Sequence, residues 1–338
     1  MFLFKKIEGN NLDFNEIVES IRTFKGVTRK RSIADVREKL KDVYNVSGNV
    51  YLAFGDDAAA VDIGNNQLML LATDGIWGAL MDVNPWWAGY CSVLVNVNDI
   101  AAMGGRPMGM TNVLSSSNPE ITAQIMDGIK EGVKKFGVPM VGGHTHPDTP
   151  YDALDVAISG IVDKDAVIPS CGAVNDDNVI VAIDLDGDVY PGTEINWDTT
   201  SDKSPSYVQN QINVMETIGK KHLVHAAKDI SNPGIVGTLG MLLEASDMGA
   251  HIDLESIPRA NDIDWISWFK MYPGSAFVLT APEETTDETL SLLNKAHIDA
   301  NCVGKVTSNH KLSMSYNNET KTVFDFSNEI IMGFSEDK

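Results

Sequence analysis

The sequence is poor in cysteine and has no long apolar run. Its three cysteines, Cys91, Cys171 and Cys302, are far apart, and none belongs to a Cys-x-x-Cys pair. This spacing predicts neither a disulfide framework nor a structural zinc site. No apolar run approaches the ~18 residues that a membrane-spanning helix needs, and the first residues turn polar too soon for a signal peptide. We therefore expect a cytoplasmic protein without a membrane partner.

Basic residues are scarce relative to acidic ones. The sequence has 26 Lys and Arg against 47 Asp and Glu, which gives a net charge of −21. A surface of that charge repels nucleic acid and anionic lipid, so we expect neither as a partner. It would also repel a polyphosphate, and a nucleotide could bind only if divalent cations lay between the two sets of negative charge.

Two common nucleotide-binding motifs are missing. The sequence contains no G-x-x-x-x-G-K-[ST] loop and no G-x-G-x-x-G after a strand, which excludes P-loop enzymes and Rossmann dinucleotide sites. A nucleotide site in this chain would therefore have to be built from metal ions, glycine backbone and scattered basic residues.

The order of strands and helices predicts two domains. A chain of 338 residues is longer than one hydrophobic core usually organises. Strands and helices alternate in both halves, and the pattern breaks around residues 163–177. We place the boundary there, with domains 1–165 and 166–338, each a β-sheet with helices packed on it.

The first half contains six predicted strands and two helices. The strands are Val50–Phe54, Ala58–Ile63, Gln67–Thr73, Met108–Ser115, Val138–Val141 and Leu154–Val162. The helices are Trp86–Met103 and one that Asn118 caps and Gly137 ends. In the second half we expect strands at Val179–Ile183, Ala276–Thr280, Asn301–Val306 and Leu312–Tyr316. We expect helices there at Ser204–Ala227, Pro233–Met248 and Thr286–Ala296.

An N-terminal arm, residues 1–48, precedes the first strand. Phe14, Ile17, Val18 and Ile21 have the spacing of an amphipathic helix, and a second such segment runs from Ile33 to Val43. Between them lies the basic run Arg29-Lys30-Arg31. In one interpretation Arg29 and Lys30 bind a nucleotide's phosphates, and the arm closes over them as a lid. In the other, the run is a solvated helix end.

Clustered carboxylates follow two of the predicted strands. Asp56 and Asp57 are adjacent in a Gly-Asp-Asp turn, where they are either bound to a cation or simply exposed. Asp74 ends an apolar strand, at the edge where open α/β sheets usually bind ligands. Asn98 and Asp99 lie inside an apolar helix, so they need partners there, either a ligand or buried hydrogen bonds.

Two further segments could bind an anion. Gly142 and Gly143 precede His144, and paired glycines leave backbone N–H groups open to a phosphate. His144, His146 and Asp148 could share one face, but three ligands on one strand rarely complete a zinc site. The second segment, Lys228-Asp229-Ile230-Ser231-Asn232-Pro233, reads as a helix N-cap, which can be structural or can bind an anion.

Taken in order, these motifs resemble the superfamily of aminoimidazole ribonucleotide synthetase, which includes thiamine-monophosphate kinase and selenophosphate synthetase. The matching segments are Gly55–Ala59, Thr73–Gly75, Asn98–Gly104, Gly142–Thr145 and Asp229–Ser231. The stretches 74–99 and 142–155 are most similar to an archaeal branch, methanogenesis marker protein 2. The resemblance implies a two-domain PurM-like fold of the α+β / α/β class. An N-terminal mixed-sheet domain would pair with its twin in a homodimer, and a C-terminal α/β domain would follow.

The resemblance also implies a ligand set. ATP would lie near the dimer interface, with Mg²⁺ held on its phosphates by Asp56, Asp57, Asp74 and Asp99. The remaining candidate nucleotide contacts are Asn98, Gly142, Gly143, His144, Asp229, Ser231 and Asn232. The chain departs from thiamine-monophosphate kinases at His144 and Asn232, where those enzymes carry aspartate.

The sequence as a whole predicts ATP- and Mg²⁺-dependent phosphoryl transfer to a small-molecule acceptor. It names neither the acceptor nor a catalytic residue. Two alternatives stay open: a nucleotide-binding partner in cofactor or metalloenzyme maturation that no longer catalyses, and a purely structural dimer. A nucleotide-dependent change in thermal stability would separate the structural dimer from the other two.

Overall fold

The N-terminal arm is helical. The computed structural model describes residues 13–333, and the arm in it comprises α1 (Phe14–Arg22), α2 (Lys25–Thr28), a 3₁₀ turn (Arg29–Arg31) and α3 (Ser32–Leu40). Asp13 caps α1 by accepting the backbone N–H groups of its first turn. The four apolar residues that predicted α1 are all buried, whereas α3 buries none of its side chains. The rest of the predicted arm, residues 1–12, lies outside the described residues.

The first sheet has six strands. Its elements are β1 (Val50–Leu52), β2 (Ala59–Gly64), β3 (Gln67–Gly75), α4 (Gly78–Val83), α5 (Pro85–Ala102), β4 (Arg106–Ser115), α6 (Pro119–Phe136), β5 (Met140–His146) and β6 (Ala153–Asp163). The strand order is β1-β2-β3-β6-β4-β5. Neighbouring strands are antiparallel except β4 and β5, which are parallel. Strand β5 is thus an edge strand, at the opposite side of the sheet from β1.

Helix α5 forms the centre of the molecule. Asn84 caps it and Pro85 occupies its first position, where proline is tolerated because that N–H has no intrahelical partner. Nearly every residue of α5 is buried, as expected for a helix that is apolar all round. It packs against β3, β6 and α6 of the first half and against α7 and β10 of the second half.

Only one face of the first sheet is covered by helices. Leu68 and Leu70 of β3 are fully buried on the face that α5 covers. Residues of the opposite face are solvent-exposed, including Leu71 at 41% and Val113 at 40%. The sheet therefore presents apolar side chains that no described element of the same chain covers.

The second sheet has seven strands. The second half comprises β7 (Asn178–Ile183), β8 (Asp188–Val189), β9 (Trp197–Asp198), α7 (Pro205–Lys220), β10 (Ala226–Asp229), α8 (Gly234–Ala245), β11 (Gly249–Asp253), α9 (Trp265–Trp268), β12 (Ala276–Ala281), α10 (Glu283–Lys295), β13 (Asp299–Thr307), β14 (Lys311–Tyr316) and β15 (Glu319–Asp325). The sheet order is β10-β12-β7-β13-β11-β14-β15, and β8 and β9 form a separate ribbon.

Both faces of the second sheet are packed. Ile180 and Ala182 of β7 belong to one core together with α7, α10 and the interior of the first half. Val179 and Val181 face the other way, into a core that includes α8 and the arm helix α1. By packing, the arm therefore belongs to the second sheet, although it precedes the first sheet in the chain.

The predicted α+β, two-domain architecture is confirmed. In the second half, strands β11 and β15 were not predicted, and one predicted helix is too long. The helix predicted to run to Ala227 ends at Lys220, and Ala226–Asp229 forms β10 instead. Alanine favours helix intrinsically, but this segment pairs with β12, and that long-range pairing prevails. Among residues 13–333, no helix combines the length and apolar character that a membrane crossing requires.

Candidate functional site

A cavity of about 630 Å³ lies where the arm, the first sheet and the second half meet. Its apolar wall includes Val61 and Leu71 from the outer face of the first sheet, together with Met241 and Met332 from the second half. Its acidic lining consists of Asp56, Asp57, Asp74, Asp99 and Asp229. The cavity thus has an apolar side and a strongly acidic side.

Three of these carboxylates converge. One oxygen each of Asp57, Asp99 and Asp229 lies within 4.8 Å of the other two. They come from three elements: the turn after β1, the middle of α5 and the end of β10. Of the four aspartates expected to hold Mg²⁺, the structure thus brings Asp57 and Asp99 together. It joins them with Asp229, which the sequence suggested only as a nucleotide contact.

The Asp99 and Asp229 carboxylates are buried, and no hydrogen-bond donor to either is recorded among residues 13–333. Their side chains are only 8% and 3% exposed. Burial, followed by repulsion from the neighbouring aspartates, raises the pKa of both carboxyls well above the ordinary value. Buried anions without donors are costly, and a bound cation would remove that cost.

The donor set fits a hard divalent cation. Aspartate oxygens are the ligands that Mg²⁺ and Ca²⁺ prefer, whereas zinc sites usually draw on cysteine and histidine. The convergent group contains oxygen ligands alone. The chemistry of the site is therefore consistent with Mg²⁺ bound through Asp57, Asp99 and Asp229.

A buried lysine forms part of the cavity floor. Lys228 Nζ donates to Asp57 Oδ1 at 2.5 Å and to the Gly55 carbonyl at 3.2 Å. Burial alone would lower the pKa of Lys228, but Asp57 and Asp56 outweigh it, and the pKa is raised. The ammonium therefore stays charged and neutralises part of the acidic cluster.

The turn that carries Asp56 and Asp57 depends on Gly55. Gly55 has a φ of 108°, a conformation that side-chain-bearing residues rarely adopt. Its carbonyl accepts from Ser170 Oγ at 3.2 Å, and Asp56 accepts the Ser170 backbone N–H. Burial raises the pKa of the Asp56 carboxyl, while Lys228 opposes the shift. Asp56 is thus held by Ser170 and lines the cavity without joining the three convergent carboxylates.

Asp74 and Lys30 face each other across the cavity. The Asp74 side chain is exposed to the cavity, yet protein surrounds it, and this desolvation raises its pKa against the effect of Lys30. Burial lowers the pKa of Lys30, with Asp74 opposing. Both residues line the cavity. The basic run of the arm therefore brings Lys30 to the acidic pocket, which a solvated helix end would not do.

The arm approaches the second half closely at Gly26. A Cβ added there would lie 1.9 Å from the carbonyl oxygen of Asn232, so only glycine fits. The Arg29 guanidinium lies over the Trp77 ring, 5.7 Å from its centroid, and Arg29 is not among the described residues that line the cavity. Of the two basic residues singled out from the sequence, Lys30 is the one at the pocket.

Other residues suggested by the sequence have different positions. Ser231 lines the cavity, and the buried Asn232 Oδ1 has no hydrogen-bond partner among the described residues. The Asn98 amide donates to the Gly274 carbonyl at 2.8 Å, so it joins α5 to the second half. Neither Asn232 nor Asn98 is among the described cavity-lining residues.

Gly142, Gly143 and His144 lie away from the cavity. They belong to the edge strand β5 and are solvent-exposed, whereas the cavity uses β1, β2 and β3. His144 pairs in register with Val113, on the sheet face that the helices leave uncovered. Within one chain, these three residues do not reach the described pocket.

Sequence reasoning named Lys228 only as the first residue of a possible anion-binding segment, and it did not name Met332. The two residues have different signals. Lys228 is a charged residue in a short apolar strand, and a lysine buried at such a position requires an anionic partner. Met332 has no local signal, because only the folding of the C-terminal segment onto α8 places it there.

Two family models match most of the chain. The first, described as "AIR synthase related protein, N-terminal domain", matches residues 55–162. The second, "AIR synthase related protein, C-terminal domain", matches residues 177–317. The two matches occur in the order in which the two sheets follow each other along the chain.

Similar curated proteins include both uncharacterized and named ones. An uncharacterized protein of Methanocaldococcus jannaschii is 46% identical over 95% of this chain and 100% of its own length. A thiamine-monophosphate kinase of Haemophilus influenzae is 27% identical over 77% of this chain and 84% of its own length. A selenide, water dikinase of Aeromonas hydrophila is 29% identical over 62% of each chain.

Solved structures share the fold at low identity. T. maritima PurL complexed with FGAR superimposes with a TM-score of 0.75 and 16% identity, over 95% of this chain and 54% of that one. This chain thus spans about half of the PurL chain. AaThiL complexed with AMPPCP and TMP gives a TM-score of 0.64 with 18% identity, over 86% of this chain and 95% of that one.

Proposed function

Because the chain belongs to the AIR synthase related proteins, we propose that it transfers a phosphoryl group from ATP to a small-molecule acceptor in a Mg²⁺-dependent reaction. One observation carries the proposal: three carboxylates from both halves of the chain converge in a cavity of about 630 Å³, and residues 13–333 supply no recorded hydrogen-bond donor to two of them. Such a group can hold a metal ion that in turn binds phosphates, which the acidic protein would otherwise repel.

The named relatives support the same reaction class. Thiamine-monophosphate kinase and selenide, water dikinase are both phosphoryl-transfer enzymes by name. One structural neighbour was solved with the nucleotide analogue AMPPCP and with TMP. These similarities extend over both halves of the chain, so the proposal concerns the whole two-domain unit.

Each part of the pocket has a role in this proposal. Asp57, Asp99 and Asp229 would hold the Mg²⁺, which when bound supplies positive charge to the phosphate oxygens. Lys30 provides a second cation from the side of the arm, and Asp74 faces it. The apolar wall around Val61 and Leu71 excludes water and suits a nucleotide base. Catalysis would then rest on positioning and charge neutralisation.

Turnover to ADP tests this proposal. Purified protein is incubated with ATP, Mg²⁺ and fractions of a cell extract, and ADP is measured for each fraction. Acceptor-dependent ADP formation that Asp99→Asn abolishes would support phosphoryl transfer. Nucleotide binding without turnover in any fraction would instead favour the non-catalytic partner in cofactor maturation.

We further propose that the protein is a homodimer formed through the uncovered face of the first sheet. That face exposes Val113, on a strand that does not line the cavity, and burial of apolar area drives association. The same face carries His144, so Gly142, Gly143 and His144 could contribute to a nucleotide site only through a partner subunit.

Light scattering tests the dimer. At micromolar concentration we expect twice 36.7 kDa. Val113→Lys should shift the protein toward monomer, because a charge would be buried in the interface. Val174→Lys is the matched control. Val174 is 49% exposed and lies in the segment that connects the two sheets along the chain. A monomeric parent protein would contradict the proposal.

A further inference from the structure

The pairing of Lys228 with Asp57 is a buried ion pair. The two side chains are only 3% and 7% exposed. Lys228 Nζ also donates to the Gly55 carbonyl, so two oxygens of the Gly55–Asp57 turn surround one ammonium. The pair joins β10 of the second half to the turn of the first half.

The three convergent carboxylates are therefore not equivalent. Asp57 Oδ1 accepts from Lys228, and Asp57 Oδ2 accepts the backbone N–H of Asp229 at 3.2 Å. Among residues 13–333, the Asp99 and Asp229 carboxylates have no recorded donor. Asp57 is thus paired directly with an ammonium, whereas Lys228 acts on Asp99, and Lys228 and Lys30 act on Asp229, only at longer range.

The Lys228 ammonium excludes a divalent ion from the position beside Asp56 and Asp57. A cation bound between Asp56 and Asp57 would lie against Lys228 Nζ, and like charges in a buried site repel strongly. On the other side, no ammonium or guanidinium group of residues 13–333 has a recorded hydrogen bond or ion pair with Asp99 or Asp229, and Lys228 and Lys30 act on Asp229 only at longer range. Each Asp57 oxygen keeps a further lone pair for coordination.

We propose that Lys228 acts as a built-in cation in place of a second divalent ion beside Asp56 and Asp57, so that each chain binds one metal ion, at Asp57, Asp99 and Asp229. The inference deepens the proposed function, because it concerns the metal content of the same pocket. It assigns Lys228 a positioning role, in which it fixes Asp57 and supplies charge without exchanging with solvent.

The test is a titration with Mn²⁺ alone, followed by electron paramagnetic resonance, which counts free ions. The wild-type protein should bind one Mn²⁺ per chain. Lys228→Met removes the charge but keeps an unbranched side chain, and it should bind two. A second bound ion in the wild type would overturn the proposal, and so would a single ion in Lys228→Met.

Lys135→Met is the matched control. Lys135 is also buried, at 5% exposure, but its ammonium donates to the carbonyls of Ser201 and Lys203 and to no recorded carboxylate. Its loss removes a buried charge without changing the acidic cluster. We expect this variant to bind one Mn²⁺, as the wild type does.

A stability measurement covers the case in which Lys228→Met folds poorly. Without the ammonium, the buried Asp56 and Asp57 repel each other, so the variant should melt at a lower temperature in EDTA. Added Mn²⁺ should narrow the difference in melting temperature between Lys228→Met and the wild type, whereas the difference between Lys135→Met and the wild type should stay the same, because both bind one ion. No recovery of Lys228→Met with Mn²⁺ would contradict a role as a substitute cation.

These outcomes are distinct from failure of the proposed function. The titration uses no nucleotide, so a protein that binds one Mn²⁺ but no ATP would retain the inference and lose the function. A protein that binds ATP with two metal ions per chain would retain the function and lose the inference.

Discussion

Helix α8 of the second half and helix α5 of the first half bury carboxylates in very different ways. Glu244 of α8, 6% exposed, accepts backbone N–H groups from Ile331, Met332 and Gly333 at 2.7–3.3 Å. Asp99, 8% exposed, receives no recorded donor from residues 13–333. Burial raises the pKa of both groups, so burial alone does not tell them apart.

The difference lies in how the negative charge is satisfied. Three N–H groups can replace the water around a carboxylate, and Glu244 thereby fixes the C-terminal segment 331–333 against α8. Asp99 and Asp229 instead keep their lone pairs directed into a cavity. A buried carboxylate with donors is structural, whereas one without donors is available to a cation.

The largest expected effect is that of Asp99→Asn, which replaces one of the buried carboxylates without a recorded donor. Loss of one ligand oxygen should weaken Mn²⁺ binding by at least about 100-fold, since even indirect partners of a metal site commonly contribute 10–100-fold. Metal-free stability should not fall, because an unfavourable buried charge is removed. Mn²⁺ titration and chemical denaturation in EDTA measure the two effects, and a large loss of metal-free stability would make Asp99 structural.

Glu244→Gln should show the opposite pattern. The new amide nitrogen would face one of the three N–H groups, and leaving a buried donor unpaired costs about 1–3 kcal/mol. We expect that loss in the free energy of unfolding, with unchanged Mn²⁺ stoichiometry. Glu288→Gln, on a half-exposed ion pair, should cost less than about 1 kcal/mol. Equal losses of unfolding free energy in Glu244→Gln and Glu288→Gln would contradict a structural role for the buried Glu244 carboxylate.

The two regions also differ in the segments that cover them, and Gly26→Ala tests the segment over the acidic pocket. The C-terminal segment covers Glu244, whereas the arm covers the acidic pocket. The added methyl would meet the Asn232 carbonyl at 1.9 Å and displace the arm with Lys30, so ATP affinity should fall by about tenfold, or 1.4 kcal/mol. Gly78→Ala, where the methyl meets nothing within 4 Å, should leave it unchanged.

The smallest expected effect concerns the mobility of the basic run. Helix α1 is anchored in the core, and Arg22 pairs with Glu329 at 2.9 Å, so only the part of the arm beyond this anchor could move. Trypsin cleavage after Arg29, Lys30 or Arg31 should slow when ATP and Mg²⁺ are present. Unchanged cleavage while nucleotide binds normally would rule out closure over the phosphates.

Local patterns in the sequence predicted the main elements and part of the pocket. The spacing in α1, the Asn118 cap and the Gly137 end of α6 all appear in the structure. Asp57 and Asp99 stood out as residues that need a partner, because one lies in a glycine turn and the other inside an apolar helix, and the family resemblance then implied that the partner is Mg²⁺. Such local conflicts are visible in the chain itself.

Long-range contacts could not be predicted in this way. Lys228 and Asp57 are 171 positions apart, and no periodicity joins them. Strand β10 was taken for helix because its alanines favour helix, while the pairing that fixes it comes from β12. The three residues Gly142, Gly143 and His144 were grouped with the pocket by order of motifs, but sheet order places them on the opposite edge from β1.

Metal-dependent nucleotide binding is tested most directly by calorimetric titration of ATP into the protein with Mg²⁺ and, separately, with EDTA. We expect ATP binding that requires Mg²⁺ and that is lost in Asp99→Asn or Asp229→Asn but retained in Glu244→Gln. Binding of equal affinity in EDTA, or full affinity in Asp99→Asn, would contradict the claim that the three convergent carboxylates hold the nucleotide through a metal ion.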